Sequence, residues 1–173
     1  MNTTILNVSG DSADDVKIEA AGNLLKEGKL VAFPTETVYG LGANALDEEA
    51  AARIYSAKGR PSDNPLIVHI ADWDALGLIV KEIPPEAKLL ADRFWPGPLT
   101  MIFKKSDRVP YGTTGGLETV AVRMPSHPVA MKLIRAGGGY IAAPSANTSG
   151  RPSPTRAEHV KEDLDGRIDM ILD

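Results

Sequence analysis

Apolar positions recur at helical spacing early in the chain: Val16, Ile18, Ala20, Ala21, Leu24 and Leu25 follow Ser12 and Asp15. That spacing predicts a capped amphipathic helix ending at Gly28. Leu30-Val31-Ala32-Phe33 is a short apolar strand stopped by Pro34. The polar, glycine-punctuated segment 34–42 reads as a loop. Asp47 is placed to cap a second helix through Ala50, Ala51, Ile54 and Tyr55. Leu66 to Ile70 reads as a buried strand. A short helix starts at Asp72, and Pro85 opens another that runs to about Phe94. Leu99–Phe103 and Thr119–Arg123 are strands, and 106–118 between them reads as a flexible loop. A helix over Pro128–Ala136 ends in three glycines. Tyr140–Ala143 is a strand, Thr155 and Glu158 form a capping box for a helix to Leu164, and Ile168–Leu172 is a final strand.

Strands that alternate with helices imply an α/β or mixed α+β layer. No repeat, linker or low-complexity tract divides the chain, so one domain is expected over its 173 residues. Composition is that of an ordinary globular domain, with 43% hydrophobic and 24% charged residues. No basic-then-apolar leader opens the chain, and no apolar run approaches membrane-spanning length. A cytoplasmic location is expected. The absence of cysteine removes disulfides, thiolate zinc sites and a cysteine nucleophile. A net charge of −4 argues against a generic nucleic-acid binder. The charge is uneven, however: residues 1–50 carry 3 Lys and 9 acids, whereas residues 51–173 carry 16 Lys and Arg against 14 acids.

Common nucleotide signatures are missing. There is no phosphate-binding Gly-x-x-x-x-Gly-Lys loop, and Gly40-Leu41-Gly42 opens no long helix and is followed by Ala45 where a dinucleotide fingerprint needs its third glycine. There is no Gly-x-Ser-x-Gly elbow, and His69, His127 and His159 lie too far apart for a metal pair. Two other segments carry the interest. Lys58-Gly59-Arg60-Pro61 can present two cations to anionic oxygens, and Pro144 to Ser153 is a compact run of hydrogen-bonding groups. Polar residues that end apolar strands could converge on one cleft: Thr35, Glu36, Thr37 and Tyr39, then His69, then Thr119 to Arg123, then Ser145 to Ser153. Taken one by one, each has a plainer reading. Lys58 and Arg60 suit a solvated loop, Thr35, Ser145 and Asn147 suit turns, and His69 suits a satisfied strand histidine. Arg123 either pairs with a carboxylate such as Glu118 or binds an anionic ligand. Trp95-Pro96-Gly97-Pro98 suits a structural corner.

Read in order, Phe33-Pro34-Thr35-Glu36-Thr37-Val38-Tyr39-Gly40-Leu41-Gly42, Lys58-Gly59-Arg60-Pro61 with Asn64-Pro65-Leu66, Trp95-Pro96-Gly97-Pro98-Leu99-Thr100, Val122-Arg123-Met124-Pro125 and Ala143-Pro144-Ser145-Ala146-Asn147 resemble the threonylcarbamoyl-adenylate synthase family, also called YrdC-like. The resemblance covers about residues 15–173. It implies an α/β, single-domain, twisted open mixed sheet with flanking helices and a positively charged concave face. It implies a nucleotidyltransferase that forms threonylcarbamoyl-adenylate and pyrophosphate from L-threonine, bicarbonate and ATP. The product would serve modification of adenosine 37 in tRNA through a downstream threonylcarbamoyl transferase complex. By the family pattern Lys58 and Arg60 would be the catalytic cations on the ATP phosphates. Asn64, Thr119, Ser145, Asn147 and Ser153 would complete the ATP site. Thr35, His69, Arg123 and the backbone near Ala143 would hold threonine, Arg123 taking its carboxylate. Mg²⁺ would accompany ATP without a protein cage of its own.

The chemistry suits such a site. A threonine carbamate must be held against the α-phosphorus while phosphate charge is neutralised, so positioning outweighs bond chemistry and no covalent nucleophile is needed. A second reading is a double-stranded RNA or tRNA-binding module on the same concave face. A third is the related domain of hydrogenase-maturation carbamoyltransferases, whose zinc-finger and acylphosphatase-like regions are not found here. Family members usually continue past the final strand with a glycine pair and a Gly-x-Glu-Ser-Thr-like segment. The chain is therefore expected to lack the C-terminal end of the domain and to leave Ile168–Leu172 as an unpaired edge.

Overall fold

The computed structural model describes residues 1–173. The elements are β1 (Thr4–Leu6), α1 (Asp15–Lys26), β2 (Val31–Phe33), β3 (Gly40–Asn44), α2 (Glu48–Lys58), β4 (Ile67–His69), α3 (Leu76–Ile79), α4 (Pro85–Phe94), β5 (Thr100–Lys104), α5 (Tyr111–Thr114), β6 (Thr119–Arg123), α6 (Pro128–Ala136), β7 (Ile141–Ala142), α7 (Ala157–Leu164) and β8 (Met170–Leu172). All eight strands join one sheet in the order β1-β8-β2-β3-β7-β4-β6-β5. The pairs β1/β8, β2/β8 and β4/β6 are parallel, and the others are antiparallel. The expected mixed α/β sheet is therefore the observed one. No helix is long and apolar enough to cross a membrane.

Alternation along the strands sorts side chains onto two faces. Ala32, Leu41, Val68, Met101, Phe103, Val120, Val122, Ala142 and Ile171 point into the larger core with α2, α3, α4 and α7. Val31, Phe33, Ile141, Met170 and Leu172 point the other way, under α1 and α6. That second layer stops at β7. Beyond it the same face stays open across β4, β6 and β5, where Ile67, Ala121 and Ile102 lie in register and Ile102 is 71% exposed. His69 and Arg123 stand on this open face, at the margin of the covered half.

Helices α1 and α6 cover their half of the sheet by close approach. A Cβ on Gly22 would sit 2.5 Å from the Ala136 Cβ and 2.6 Å from its backbone carbon. Gly22→Ala gains up to about 1 kcal/mol in helix propensity. Separating two backbones costs more, typically ~1–3 kcal/mol. A net loss of about 1 kcal/mol or more is expected, read as a lower urea midpoint; an unchanged midpoint would show that the two helices are not held this tightly.

Several expectations are corrected. Segment 34–42 is a loop only as far as Tyr39, and Gly40–Asn44 is a strand. The glycines conceal it: at Gly42 a Cβ would meet Ile141 and Phe33 at 3.0 Å, so neighbouring side chains fill the place of its own. Residues 111–114 form α5, with Thr113 and Thr114 buried; the Thr113 hydroxyl donates to the Ala45 carbonyl at 2.7 Å. The final strand is no edge, because β8 lies between β1 and β2 and β1 takes the edge. Neither Asp14 at the start of α1 nor Arg156 at the start of α7 caps with its side chain. Asp14 instead accepts from Ser9, and Arg156 pairs with Glu158, so the Thr155 capping box does not form. Asp47 does cap α2, accepting from the Glu49 and Ala50 amides.

Candidate active site

Lys58 is the last residue of α2, and Gly59 follows in a left-handed conformation (φ 65°) that turns the chain toward Arg60. The Lys58 side chain is buried, and its Nζ donates to the Ser145 carbonyl. The Ser149 amide donates to the Lys58 carbonyl at 2.9 Å. Lysine loop and Ser/Asn loop, 87 residues apart in sequence, thus form one wall. Burial and the neighbouring Arg60 charge bring the Lys58 ammonium down to about 8, with Asp163 acting in the opposite sense. The Asp163 carboxylate is itself held by the Thr148 amide at 3.0 Å and by Arg151 at 3.4 Å.

Arg60 donates through Nη2 to the Pro65 carbonyl at 3.0 Å. Asn147 is 7% exposed, and its Nδ2 donates to the Thr148 and Arg151 carbonyls, both at 2.9 Å. Two buried side-chain polar atoms of the protein have no partner: Arg60 Nε and Asn147 Oδ1. One is a donor and the other an acceptor, and both belong to the wall that Lys58 ties together.

A second group meets at the strand tips. Parallel pairing puts His69 beside Arg123, and Ile141 registers with His69. The isolated bridge between Gly40 and Ser145 ties the start of β3, where the loop after β2 ends, to the Ser/Asn loop. The Trp95–Pro98 corner positions Arg123, whose Nε donates to the Gly97 carbonyl at 3.2 Å while the Gly97 amide donates to the Met124 carbonyl at 2.7 Å. Arg123 Nη2 pairs with Glu36, so the partner is Glu36 and not Glu118, whose carboxylate accepts from the Tyr111 hydroxyl. His69 is buried, edge-on to Phe33, with Nδ1 3.1 Å from the Ile67 carbonyl. Burial first, and then the Arg123 charge, lower it to about 4, so its imidazole is neutral at physiological pH.

Thr35 lies in the same corner, but its hydroxyl is spent locally, donating to the Val38 carbonyl at 2.6 Å. Ala143 is buried, and its amide donates to the Ile67 carbonyl at 2.9 Å. Asn64, Thr119 and Ser153 are exposed and make no side-chain hydrogen bond to the rest of the site. Thr119 stands at the opposite end of β6 from Arg123, on the same open face. No group of three or more His, Asp and Glu is arranged to hold a metal. The largest clefts, of about 490 and 450 Å³, lie elsewhere, one beside Tyr55 and Tyr111 and the other between Arg53 and Arg167. The site is an open sheet face with polar margins. Sequence reading placed Glu36 in the right loop without a role and missed Ser126, which donates to it. The available signal was charge: Glu36 is the lone charged residue between Lys29 and Asp47, and Arg123 is the lone cation of its apolar strand.

Comparison with known proteins identifies the family and the fold. Residues 23–173 match the Sua5/YciO/YrdC family, described under telomere recombination. Threonylcarbamoyl-AMP synthase of Pyrococcus abyssi is 61% identical over 171 residues, covering 99% of this chain and 50% of the relative. The Bacillus subtilis protein of the same name is 60% identical, covering 94% of this chain and 47% of the relative. The chain spans about half the length of these curated relatives. A crystal structure of P. abyssi Sua5 complexed with L-threonine superposes with a TM-score of 0.96 at 61% identity, over 99% of this chain and 50% of that one. Motif order, sheet topology and these matches agree, and the chain belongs to the Sua5/YciO/YrdC family.

Proposed function

We propose that this domain makes threonylcarbamoyl-adenylate and pyrophosphate from L-threonine, bicarbonate and ATP, and supplies the product in the cytoplasm to tRNA modification. The observation that carries this reading is the pair of orphaned polar atoms, Arg60 Nε and Asn147 Oδ1, in the wall built around Lys58. Buried polar groups are almost always partnered, so an unpartnered donor and acceptor beside two cations favour a polar, anionic ligand. Lys58 and Arg60 would neutralise the triphosphate as charge moves to the leaving pyrophosphate. Asn147 Oδ1 can only accept, so it would meet a donor on the nucleotide rather than a phosphate oxygen. Ser145 would complete this wall, with Asn64, Thr119 and Ser153 at its exposed margin.

Threonine would lie at the strand tips, its carboxylate on Arg123 and its body against neutral His69 and the Thr35 and Ala143 backbone. The bridge between Gly40 and Ser145 brings these two loops together, as in-line attack of a carbamate oxygen on the α-phosphorus requires. Mg²⁺ would ride on the ATP phosphates and offset their charge, because the donor set offers no carboxylate cage.

Pyrophosphate release by the purified chain, with threonine and bicarbonate each omitted in turn, tests the reading. Release is expected only when both are present together with ATP. Release that persists without threonine would refute it. Duplex RNA binding that is indifferent to ATP and threonine would favour an RNA-binding module instead.

A further inference from the structure

Arg123 is already holding a carboxylate, and it belongs to the protein. Glu36 Oε1 accepts from Arg123 Nη2, and Glu36 Oε2 accepts from both the amide and the hydroxyl of Ser126 at 2.8 Å. A guanidinium, a backbone amide and a hydroxyl around two carboxylate oxygens form the kind of seat that an amino acid's α-carboxylate would take. Ser126 also precedes the N-terminal end of α6, where negative charge is favoured. Burial opposes ionisation of Glu36, but the Ser126 donors and the Arg123 charge outweigh it and hold the carboxyl below its ordinary range.

We infer that Glu36 is a resident competitor: in the ligand-free protein it fills the carboxylate seat at Arg123, and the carboxylate of the incoming amino acid displaces it. This rests on the proposed function, in which Arg123 takes the threonine carboxylate. Each of the three Arg123 nitrogens already has an acceptor while Glu36 stays. Its Nε is spent on Gly97, its Nη1 reaches Thr37 Oγ1 at 3.4 Å, and its Nη2 is on Glu36. A second carboxylate on the same guanidinium would meet like charge in a partly buried corner.

Glu36 is also built to leave. Its loop keeps its shape through bonds that do not involve the Glu36 side chain: Thr35 Oγ1 to the Val38 carbonyl at 2.6 Å, the Thr37 amide to Thr35 Oγ1 at 3.2 Å, and the Tyr39 amide to the Pro154 carbonyl at 2.8 Å. The Glu36 side chain is 22% exposed, so rotation brings it into water, whereas Arg123 at 10% is fixed by Gly97. Occupation by Glu36 lowers apparent threonine affinity by the fraction of molecules in which the seat is vacant. It also selects for a carboxylate, since a ligand without one has nothing to exchange.

Calorimetric titration of L-threonine and L-threonine amide into wild-type, Glu36→Gln and Glu36→Ala protein tests the displacement. Both variants are expected to bind threonine about three- to tenfold more tightly than wild type. Neither is expected to gain affinity for the amide. Threonine binding that is equal or weaker in both variants, with wild type binding normally, overturns the displacement and leaves the proposed function standing. Wild type that takes up no threonine overturns both. An equal gain for the amide also overturns the displacement, because the gain would then owe nothing to the carboxylate.

Discussion

Lys58→Ala is expected to lower threonine- and bicarbonate-dependent pyrophosphate release about 100-fold or more, with the loss expressed in kcat as well as in the KM for ATP. Loss of a single preorganised electrostatic donor commonly costs 10²–10³ in rate. Lys58 is buried, so its charge acts through little intervening water. Lys58→Arg should not restore the rate, because the longer planar group cannot take the place of an ammonium seated against the Ser145 carbonyl. The sign of the pH effect supplies an independent check. In the ligand-free protein Lys58 titrates at about 8, against an ordinary 10.5. A base with a depressed folded pKa costs stability below pH 8, and that cost falls away as pH rises from 8 to 10.5. Phosphates favour the charged ammonium, so ATP binding should raise this pKa and take up a proton between about pH 8 and 10. Calorimetry of ATP binding in buffers of different ionisation enthalpy measures that uptake. Its persistence in Lys58→Ala would assign it to another group, and an unimpaired rate in that variant would remove Lys58 from the catalytic machinery.

The sheet was legible where side chains carry the signal. The apolar run at 30–33 reads directly as a strand because a strand buried on both faces needs no polar alternation, and 66–70 and 119–123 read as strands through their β-branched residues. Strand β3 was hidden because Gly40 and Gly42 replace the apolar residues of one face, the space being filled by Phe33 and Ile141. The place of β8 was illegible for a different reason. Its outer neighbour β1 is three residues long, and Ile5 pairs with Ile171 across nearly the whole chain, so no local pattern announces the pairing. The site divides in the same way. Lys58, Arg60, Ser145 and Asn147 could be named from local chemistry and from the motif series, and the Lys58–Ser145 bond joins their loops. Arg123 could be named too, but not its partner. Glu118 lies five residues upstream and Glu36 lies 87 residues away, and only the fold decides between them.

Arg123→Ala is expected to raise the KM for threonine about 100-fold or more while changing ATP binding less than twofold. A site built to grip a carboxylate and then deprived of its guanidinium loses a charge-assisted fork, and truncating one member of a buried hydrogen-bonded charge pair typically costs ~2–5 kcal/mol of binding. Selectivity for threonine over ATP follows from geometry, since Arg123 touches Gly97, Thr37 and Glu36 and makes no bond to Lys58, Arg60 or Asn147. The variant should also lose stability. Gly97 loses its side-chain donor and Glu36 loses its cation, but Glu36 keeps two donors from Ser126 and 22% of its side-chain exposure. The loss is therefore expected at the low end for a broken buried pair, about 2 kcal/mol, read as a lower urea midpoint. Glu36→Gln with Arg123 intact separates the two roles of the pair. If Glu36 only orients Arg123, threonine binds more weakly to that single variant; if Glu36 is a displaced competitor, threonine binds more tightly. In the double variant threonine affinity stays at the level of Arg123→Ala under either role. An Arg123→Ala variant with wild-type KM for threonine would mean that the amino acid's carboxylate is held elsewhere, and the strand tips would no longer be its site.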